Sequence, residues 1–139
     1  MDEVIANARA LYLEGEIAQG KTIEELMKND SGREFILPLL VRQQYFQNAR
    51  MDSLYNYSII DGFELNTKDI KVVKVKNKSI ILASDGYPKL FNTLSDSEKY
   101  LEYILKNDPL CIKLHKSTKG LKENLNSFDD RAYIKIEKY

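Results

Sequence analysis

The chain has 139 residues, with 21 Lys and Arg against 21 Asp and Glu, 43% hydrophobic residues and one cysteine. This length and composition indicate one globular domain and exclude a fibrous or disordered chain, and the lack of an apolar run of about 20 residues argues against a membrane anchor. The acidic start at Asp2 and Glu3 does not resemble a secretory signal, and the single Cys111 cannot form an internal disulfide, so we expect a cytoplasmic protein.

The neutral total hides a division of charge along the chain. Residues 1–66 carry 6 basic and 11 acidic side chains, a balance of −5, whereas residues 67–139 carry 15 basic and 10 acidic ones, a balance of +5. A basic half is one signature of nucleic-acid binding. Dispersed lysines are more often a solvated surface, so we interpret the basic half in this way and keep binding of nucleic acid or another anion as a weaker alternative.

The N-terminal part of the chain has the pattern of helices. Residues 2–18 predict an amphipathic helix, because apolar side chains recur there at helical spacing: Val4, Ile5, Ala8, Leu11 and Tyr12. Thr22 and Glu25 have the spacing of a capping box, which predicts a short helix through residue 27. Residues 29–32 break this pattern.

A longer apolar helix is predicted next, followed by strands. The helix covers 34–48, with Pro38 either kinking it or dividing it. β-Branched and aromatic runs at 57–60, 70–75 and 79–83 predict strands. The last of these lacks polar alternation, so we expect it to be central and buried, and Asn77-Lys78 suggests a short hairpin before it.

The C-terminal part returns to helix and ends in a strand. Residues 94–105 predict a helix with Ser95 or Asp96 as its N-cap, and Asp108-Pro109 predicts the start of another short helix. Residues 116–127 are polar and predict a loop, whereas 131–138 alternate and predict a last strand. The fold class is therefore α+β, with N-terminal helices and then a mostly antiparallel sheet on which helices pack.

Acidic residues follow or precede two of the predicted strands. Asp85-Gly86 ends the 79–83 strand, and Asp129-Asp130 stands at the start of the last one. If the two strands are neighbours, Asp85 and Asp129 converge at one end of the sheet, where oxygen ligands would suit Mg²⁺ or Mn²⁺. The alternative is structural, because Asp-Gly is a common turn and paired aspartates often precede a strand as solvated caps.

The segments Ser79-Ile80-Ile81-Leu82-Ala83-Ser84-Asp85-Gly86 and Ser127-Phe128-Asp129-Asp130-Arg131-Ala132-Tyr133-Ile134 resemble the C-terminal half of the type 2C (PPM) metal-dependent serine/threonine phosphatases. The resemblance extends back through residues 43–48 and 57–60. It implies a two-metal Mn or Mg site at the edge of an αββα sandwich and hydrolysis of phosphoserine or phosphothreonine. By position, Asp85 and Asp129 would be metal ligands, Asp130 a substitute ligand where the family usually has an amide, and Gly86 the turn.

The chain also departs from this family. Before residue 57 no predicted strand ends in the acidic residues that the family takes from its N-terminal half, so we expect residues 1–139 to form a single but partial domain with an incomplete metal site. Ile59-Ile60-Asp61-Gly62 imitates such a strand, but its place in the order favours a hairpin turn. The alternative function is an inactive interaction module that forms a homo-oligomer or pairs with a complementary N-terminal half.

Three other residues are weaker candidates. Lys119 lies in Lys116-Ser117-Thr118-Lys119-Gly120, which lacks the glycine of a phosphate-binding P-loop and leaves Lys119 only as a candidate anion contact. His115 has no second histidine or cysteine with which to bind a transition metal. Cys111 is predicted to be a buried apolar residue, not a nucleophile.

Overall fold

The computed structural model describes residues 1–62, 67–74 and 79–137. The fold is α+β, and the described residues form four α-helices and a two-stranded antiparallel sheet. In chain order the elements are α1 (Asp2–Ala18), α2 (Ile23–Lys28), α3 (Ser31–Arg42), β1 (Ser79–Ala83), α4 (Leu94–Asn107) and β2 (Tyr133–Glu137), with 3₁₀ turns at Gln43–Phe46 and Thr67–Asp69. None of the helices in these ranges has the length and apolar character that a membrane span requires.

Helix α1 has the predicted bounds, but its buried face differs from the predicted one. Val4 and Leu11 were assigned to the apolar face, yet they are 58% and 74% exposed. The buried positions instead include a charged residue at their centre: Ile5, Ala6, Arg9, Ala10 and Leu13. The buried face is shifted because Arg9 is fully buried and hydrogen-bonded to other parts of the chain.

Local side-chain caps set the starts of α2 and α3. The capping box of α2 is confirmed, since Thr22 accepts from the N–H of Glu25 and the Glu25 carboxylate accepts from the N–H of Thr22. The predicted start of α3 at residue 34 is wrong. Asp30 accepts from the N–H of Arg33 at 2.8 Å, so the helix begins at Ser31, within the segment predicted as a break. Pro38 lies inside α3, and the predicted helix after residue 42 continues only as the 3₁₀ turn.

The predicted strand at 57–60 is wrong: this segment forms only an isolated bridge between Gln47 and Tyr57. Asn48 explains the difference, because its side chain accepts from the N–H of Ile59 at 3.0 Å and donates to the carbonyl of Ile59 at 3.1 Å. These backbone groups are thereby satisfied without a neighbouring strand. Residues 70–74 also form no strand, and Val75 and the predicted hairpin at Asn77-Lys78 lie outside the described residues.

The two remaining predicted strands form and pair with each other. β1 has the predicted bounds, β2 lies within the predicted 131–138, and their antiparallel register places Leu82 opposite Ile134 and Ala83 opposite Tyr133. The prediction that β1 is central and buried is wrong, since it has one neighbour among the described residues and Leu82 is 55% exposed. Its continuous apolar sequence therefore leaves hydrophobic surface on the sheet.

Helix α4 is confirmed, with a different cap. Its N-cap is Thr93, whose hydroxyl accepts from the N–H of Asp96 at 3.1 Å, so the predicted caps Ser95 and Asp96 already lie inside the helix. The helix buries a stripe at Leu101, Ile104 and Leu105. This stripe forms one wall of the core.

The predicted short helix after Asp108 is wrong, because residues 108–121 form a loop around the Asp108 side chain. The buried carboxylate accepts from the N–H groups of Ile112, Lys113 and Leu114 at 3.0, 2.8 and 2.7 Å. These three backbone N–H groups all donate to the same carboxylate. In an α-helix, only the N–H groups of the first turn lack a partner within the helix and could donate to a side chain in this way. The predicted loop over 116–127 is confirmed.

The same loop joins the two halves of the hydrophobic core. One cluster consists of residues from α1, α2 and the loop: Ala10, Leu13, Leu26, Leu110 and Ile112. The other consists of residues from α4, the loop and the segment before β2: Leu101, Leu105, Cys111 and Phe128. Successive residues of the loop thus point into different clusters and hold them together.

Candidate functional site

The end of the sheet where β1 stops and β2 starts brings the predicted site segments together. The N–H of Ser84 donates to the carbonyl of Ala132 at 3.1 Å, and the N–H of Ala132 donates to the Ser84 hydroxyl at 2.9 Å. The same hydroxyl donates to the carbonyl of Asp130 at 3.3 Å. The Ser-Asp-Gly turn is therefore fastened to the Asp-Asp segment. We call Asp85, Asp129 and Asp130 the carboxylate end.

Gly86 allows the close approach of these two segments. It is buried, and a Cβ atom built on it would lie 2.3 Å from the Asp130 carbonyl oxygen and 3.0 Å from Cβ of Arg131. Any larger residue would meet backbone, which cannot move aside as a flexible side chain can. Position 86 therefore requires glycine, because the Asp130 backbone lies too close for a side chain.

Lys119 neutralises one of the carboxylates. Its Nζ lies 2.5 Å from Oδ1 of Asp129, and the N–H of Asp130 also donates to Oδ1, at 2.8 Å. The Asp129 side chain is partly buried, whereas Asp85 and Asp130 are exposed. Lys119, a candidate anion contact in the sequence, here binds a carboxylate of the protein itself.

Two clefts open at the carboxylate end. One, of about 430 Å³, is lined by Asp85 and Asp129 together with Asp2, Glu3 and His115, so the start of α1 adds two further acids. The other, of about 380 Å³, is lined by Lys119 and by Asp129, Asp130 and Arg131. Asp129 therefore stands between an acidic and a mixed cleft.

These residues do not fit the two-metal centre that the phosphatase resemblance implies. Within residues 1–62, 67–74 and 79–137, no group of three or more His, Cys, Asp or Glu side chains is arranged to hold a metal ion. A cation at Asp129 would also compete with Lys119, which already pairs with Oδ1 of this carboxylate. The carboxylate end on its own is therefore short of ligands.

Glu98 on α4 is a site residue that the sequence analysis missed. Its Oε1 accepts a short hydrogen bond from the Tyr87 hydroxyl and one of 3.0 Å from Nε of Arg131. It thus ties the residue after Gly86 to the residue after Asp130. No local pattern could have found it, because its partners lie 11 and 33 residues away along the chain.

The contacts among Glu98, Tyr87 and Arg131 also shift the pKa values of Glu98 and Tyr87. The hydrogen bonds from Tyr87 and Arg131 lower the pKa of Glu98, against the opposing effect of its desolvation. Burial, and then the Glu98 carboxylate, raise the pKa of the Tyr87 hydroxyl, so Tyr87 stays a hydrogen-bond donor at neutral pH. At neutral pH, an ionised Glu98 therefore accepts the hydrogen bonds from Tyr87 and Arg131.

Replacing Glu98 with glutamine is expected to destabilise the fold in a pH-dependent way. Because the folded pKa of Glu98 lies below its ordinary value of 4.5, its contribution is present above that value and is lost as pH falls through the folded pKa. The side chain is 31% exposed, so we expect a loss of only about 0.5–1 kcal/mol near neutral pH. Urea unfolding of both proteins at neutral pH and below the ordinary glutamate pKa measures the difference.

The control for this prediction is Glu102→Gln, which removes an exposed carboxylate from the same helix. Its effect should be within about 0.5 kcal/mol of zero at both pH values. A Glu98→Gln effect that is unchanged, or larger, at acidic pH would contradict the proposed role of the ionised carboxylate.

The contacts of the other candidate residues, Cys111, His115 and Asp61, indicate structural roles. Cys111 is buried, and desolvation raises the pKa of its thiol to about 12, so the prediction of a buried apolar cysteine is confirmed. His115 is half-buried, its ring lies 5.4 Å from that of Phe128, and burial lowers its pKa. Asp61 accepts from the side-chain amides of Gln47 and Asn48 at 3.0 Å each, which agrees with a structural turn.

Comparison of the chain with protein-family models, with curated proteins and with solved structures gave no match. The phosphatase resemblance therefore rests on the sequence motifs alone. In the fold, the two segments that carry these motifs adjoin each other.

Proposed function

We propose that the chain supplies the C-terminal part of a type 2C phosphatase-like αββα domain acting on phosphomonoesters such as phosphoserine or phosphothreonine. The supporting observation is the β1–β2 register, which fastens Ser84 to the backbone of Asp130 and Ala132 and so brings the two acidic motifs to one end of the sheet. The proposed setting is the cytoplasm, where the free Cys111 would remain reduced.

In this proposal Asp85 and Asp129 offer carboxylates to a Mn²⁺ or Mg²⁺ ion, and Asp130 is an additional ligand from the same turn. Further acidic ligands must come from another segment or a complementary chain, because the described residues hold too few. Lys119 keeps the Asp129 charge paired until a cation replaces it. No hydrolytic step is assigned to this chain by itself.

Mn²⁺ binding measured by calorimetry tests this proposal. We expect weak binding in the native chain, weaker binding in Asp85→Ala, and about 3- to 10-fold tighter binding in Lys119→Ala, because removing one nearby positive charge is worth about 1 kcal/mol in a solvated site. Lys122→Ala is the matched control, since this exposed lysine lines the neighbouring cleft, and it should leave the affinity unchanged.

Two results of that experiment would count against the proposal. Equal Mn²⁺ affinity in the native chain and in Asp85→Ala would place the ion elsewhere. Equal effects of Lys119→Ala and Lys122→Ala would mean that the Lys119–Asp129 pair does not compete with the cation. Assays with p-nitrophenyl phosphate and Mn²⁺ are expected to show no hydrolysis by the chain alone.

A second candidate function is a non-catalytic interaction module, and one observation favours it. Several large aliphatic side chains among the described residues lie open to solvent, and an interaction module would bury such surface against a partner. They include Leu54, Ile60 and Leu82, which are 101%, 93% and 55% exposed. Sedimentation tests this candidate: concentration-dependent association supports it, and a monomer at all concentrations contradicts it.

A further inference from the structure

Residues 67–78 form a strongly basic stretch of the chain. They carry five lysines, at positions 68, 71, 74, 76 and 78, against the single acid Asp69, which gives a net charge of +4. We call residues 67–78 the basic segment, of which the structure describes 67–74. Lys71 and Lys74 are both exposed. The segment therefore presents positive charge to the solvent.

The apolar side chains between these lysines are also open to solvent. Ile70, Val72 and Val73 are 53%, 89% and 76% exposed. Neither core cluster includes them, and the described part of the segment has a 3₁₀ turn at Thr67–Asp69 but no strand. Three large β-branched side chains thus leave a patch of apolar surface in contact with water, which is typical of an interaction site.

A second lysine-rich stretch, residues 113–122, shows that charge alone does not distinguish the basic segment. It carries four lysines and no acid. Two of these lysines contact the protein itself, since Lys116 donates to the side chain of Asn7 at 2.9 Å and Lys119 pairs with Asp129. What distinguishes the basic segment is that exposed lysines alternate with exposed aliphatic residues. A partner must therefore match both kinds of side chain.

Independently of the proposed phosphatase function, we propose that the basic segment binds the surface of a lipid bilayer that contains anionic phospholipids. The lysines complement the negative headgroups, and each lysine near such a surface strengthens binding about 5-fold. The exposed aliphatic side chains enter the boundary between headgroups and acyl chains, while the stems of the neighbouring lysines carry their ammonium groups back to the headgroups. Binding of this kind is peripheral and needs no membrane-spanning helix.

A nucleic acid offers the same negative charge but fits the segment less well. Residues 67–78 contain no aromatic residue on which a base could stack and no arginine for paired hydrogen bonds to a base or a phosphate. On a phosphate backbone the exposed Val72 and Val73 would stay in water. A lipid surface accommodates both the lysines and the aliphatic residues.

Flotation of the full chain with vesicles tests this proposal. We expect binding to vesicles of equal parts phosphatidylserine and phosphatidylcholine, no binding to vesicles of phosphatidylcholine alone, and weaker binding as salt is raised. Replacing Lys71 and Lys74 together with glutamine should weaken binding about 25-fold, the product of two lysine contributions. The control replaces Lys113 and Lys122, two exposed lysines of the second stretch, and should stay within about 2-fold of the native chain.

A second pair of variants distinguishes a bilayer from other polyanions. Replacing Val72 and Val73 together with serine keeps every lysine and should weaken vesicle binding at least about 10-fold, because apolar area no longer leaves water. Leu54→Ser removes an apolar side chain that is fully exposed elsewhere and should leave binding unchanged. Because all the replaced side chains are exposed, circular dichroism should show each variant folded like the native chain.

Three results would overturn the proposal. The first is a native chain that does not float with the anionic vesicles. The second is an equal loss of binding from the two lysine pairs, which would show that net charge acts without the segment. The third is a duplex DNA that binds the native chain more tightly than the vesicles do and binds the valine variant equally well, which would assign the segment to nucleic acid.

Discussion

Replacing Arg9 with methionine is expected to lower the free energy of unfolding by about 3–5 kcal/mol, the usual cost of removing one partner from a buried ion pair. The guanidinium is fully buried and contacts Asp30 at 2.6 Å. It also donates to the carbonyls of Leu110 and Ser117 at 2.8 and 3.1 Å. Arg9 therefore joins α1 both to the cap of α3 and to the 108–121 loop. Its loss leaves the Leu110 and Ser117 carbonyls without this donor and leaves the partly buried Asp30 carboxylate with the N–H of Arg33 but no cation.

Urea unfolding followed by circular dichroism measures this effect, with Arg33→Met as the control. Arg33 also donates to a loop carbonyl, that of Thr118 at 2.9 Å, but it is only partly buried. We expect it to cost about 1 kcal/mol, the value of one ordinary hydrogen bond. An Arg9→Met variant no less stable than Arg33→Met would show that the buried guanidinium is not the connection described here.

Replacing Gly86 with alanine is the second change with a large expected effect. The new Cβ would lie 2.3 Å from the Asp130 carbonyl oxygen, so the Ser-Asp-Gly turn and the Asp-Asp segment must move apart. Overpacking of this kind costs about 1–3 kcal/mol. We expect a value near the upper end, because the obstacle is backbone, together with weaker Mn²⁺ binding at the carboxylate end.

Gly15→Ala is the matched control, and its effect should have the opposite sign. Gly15 lies inside α1 with nothing within 4 Å of the added Cβ. Alanine in a helix is favoured over glycine by about 0.5–1 kcal/mol. Thermal unfolding of both variants tests the pair, and a Gly86→Ala protein as stable as the native chain would contradict the close approach of the two segments.

Much of the helical structure could be predicted because it depends on neighbouring residues. The Thr22–Glu25 capping box and the apolar stripe of α4 are local patterns, and both helices form where the sequence places them. The start of α3 was missed because Asp30 caps it from within a segment that looked like a break. Asp108 was interpreted as a helix cap, and its carboxylate does bind backbone N–H groups, but around a loop.

The strands and the buried face of α1 depend on distant partners and were harder to predict. Residues 57–60 have strand propensity, yet the side chain of Asn48 satisfies Ile59 in place of a neighbouring strand. The burial of Arg9 follows from acceptors up to 108 residues away, which no helical period can reveal.

The candidate site likewise has features that the sequence could predict and features that it could not. The sequence predicts that Asp85 and Asp129 lie at one end of the sheet if their strands are neighbours. The strands β1 and β2 do pair, so this condition is met. The Lys119–Asp129 pair and the tie through Glu98 did not follow, because both depend on how the loop and α4 lie against the end of the sheet.

The most direct test of the carboxylate end is a titration of the ¹⁵N-labelled chain with Mn²⁺, followed by paramagnetic broadening of its amide signals. The proposal predicts that the amides of 84–86 and 129–131 broaden first and together, and that Lys119→Ala lowers the Mn²⁺ concentration this requires. Broadening that begins elsewhere, or that reaches one segment without the other, would contradict a shared cation site at this end of the sheet.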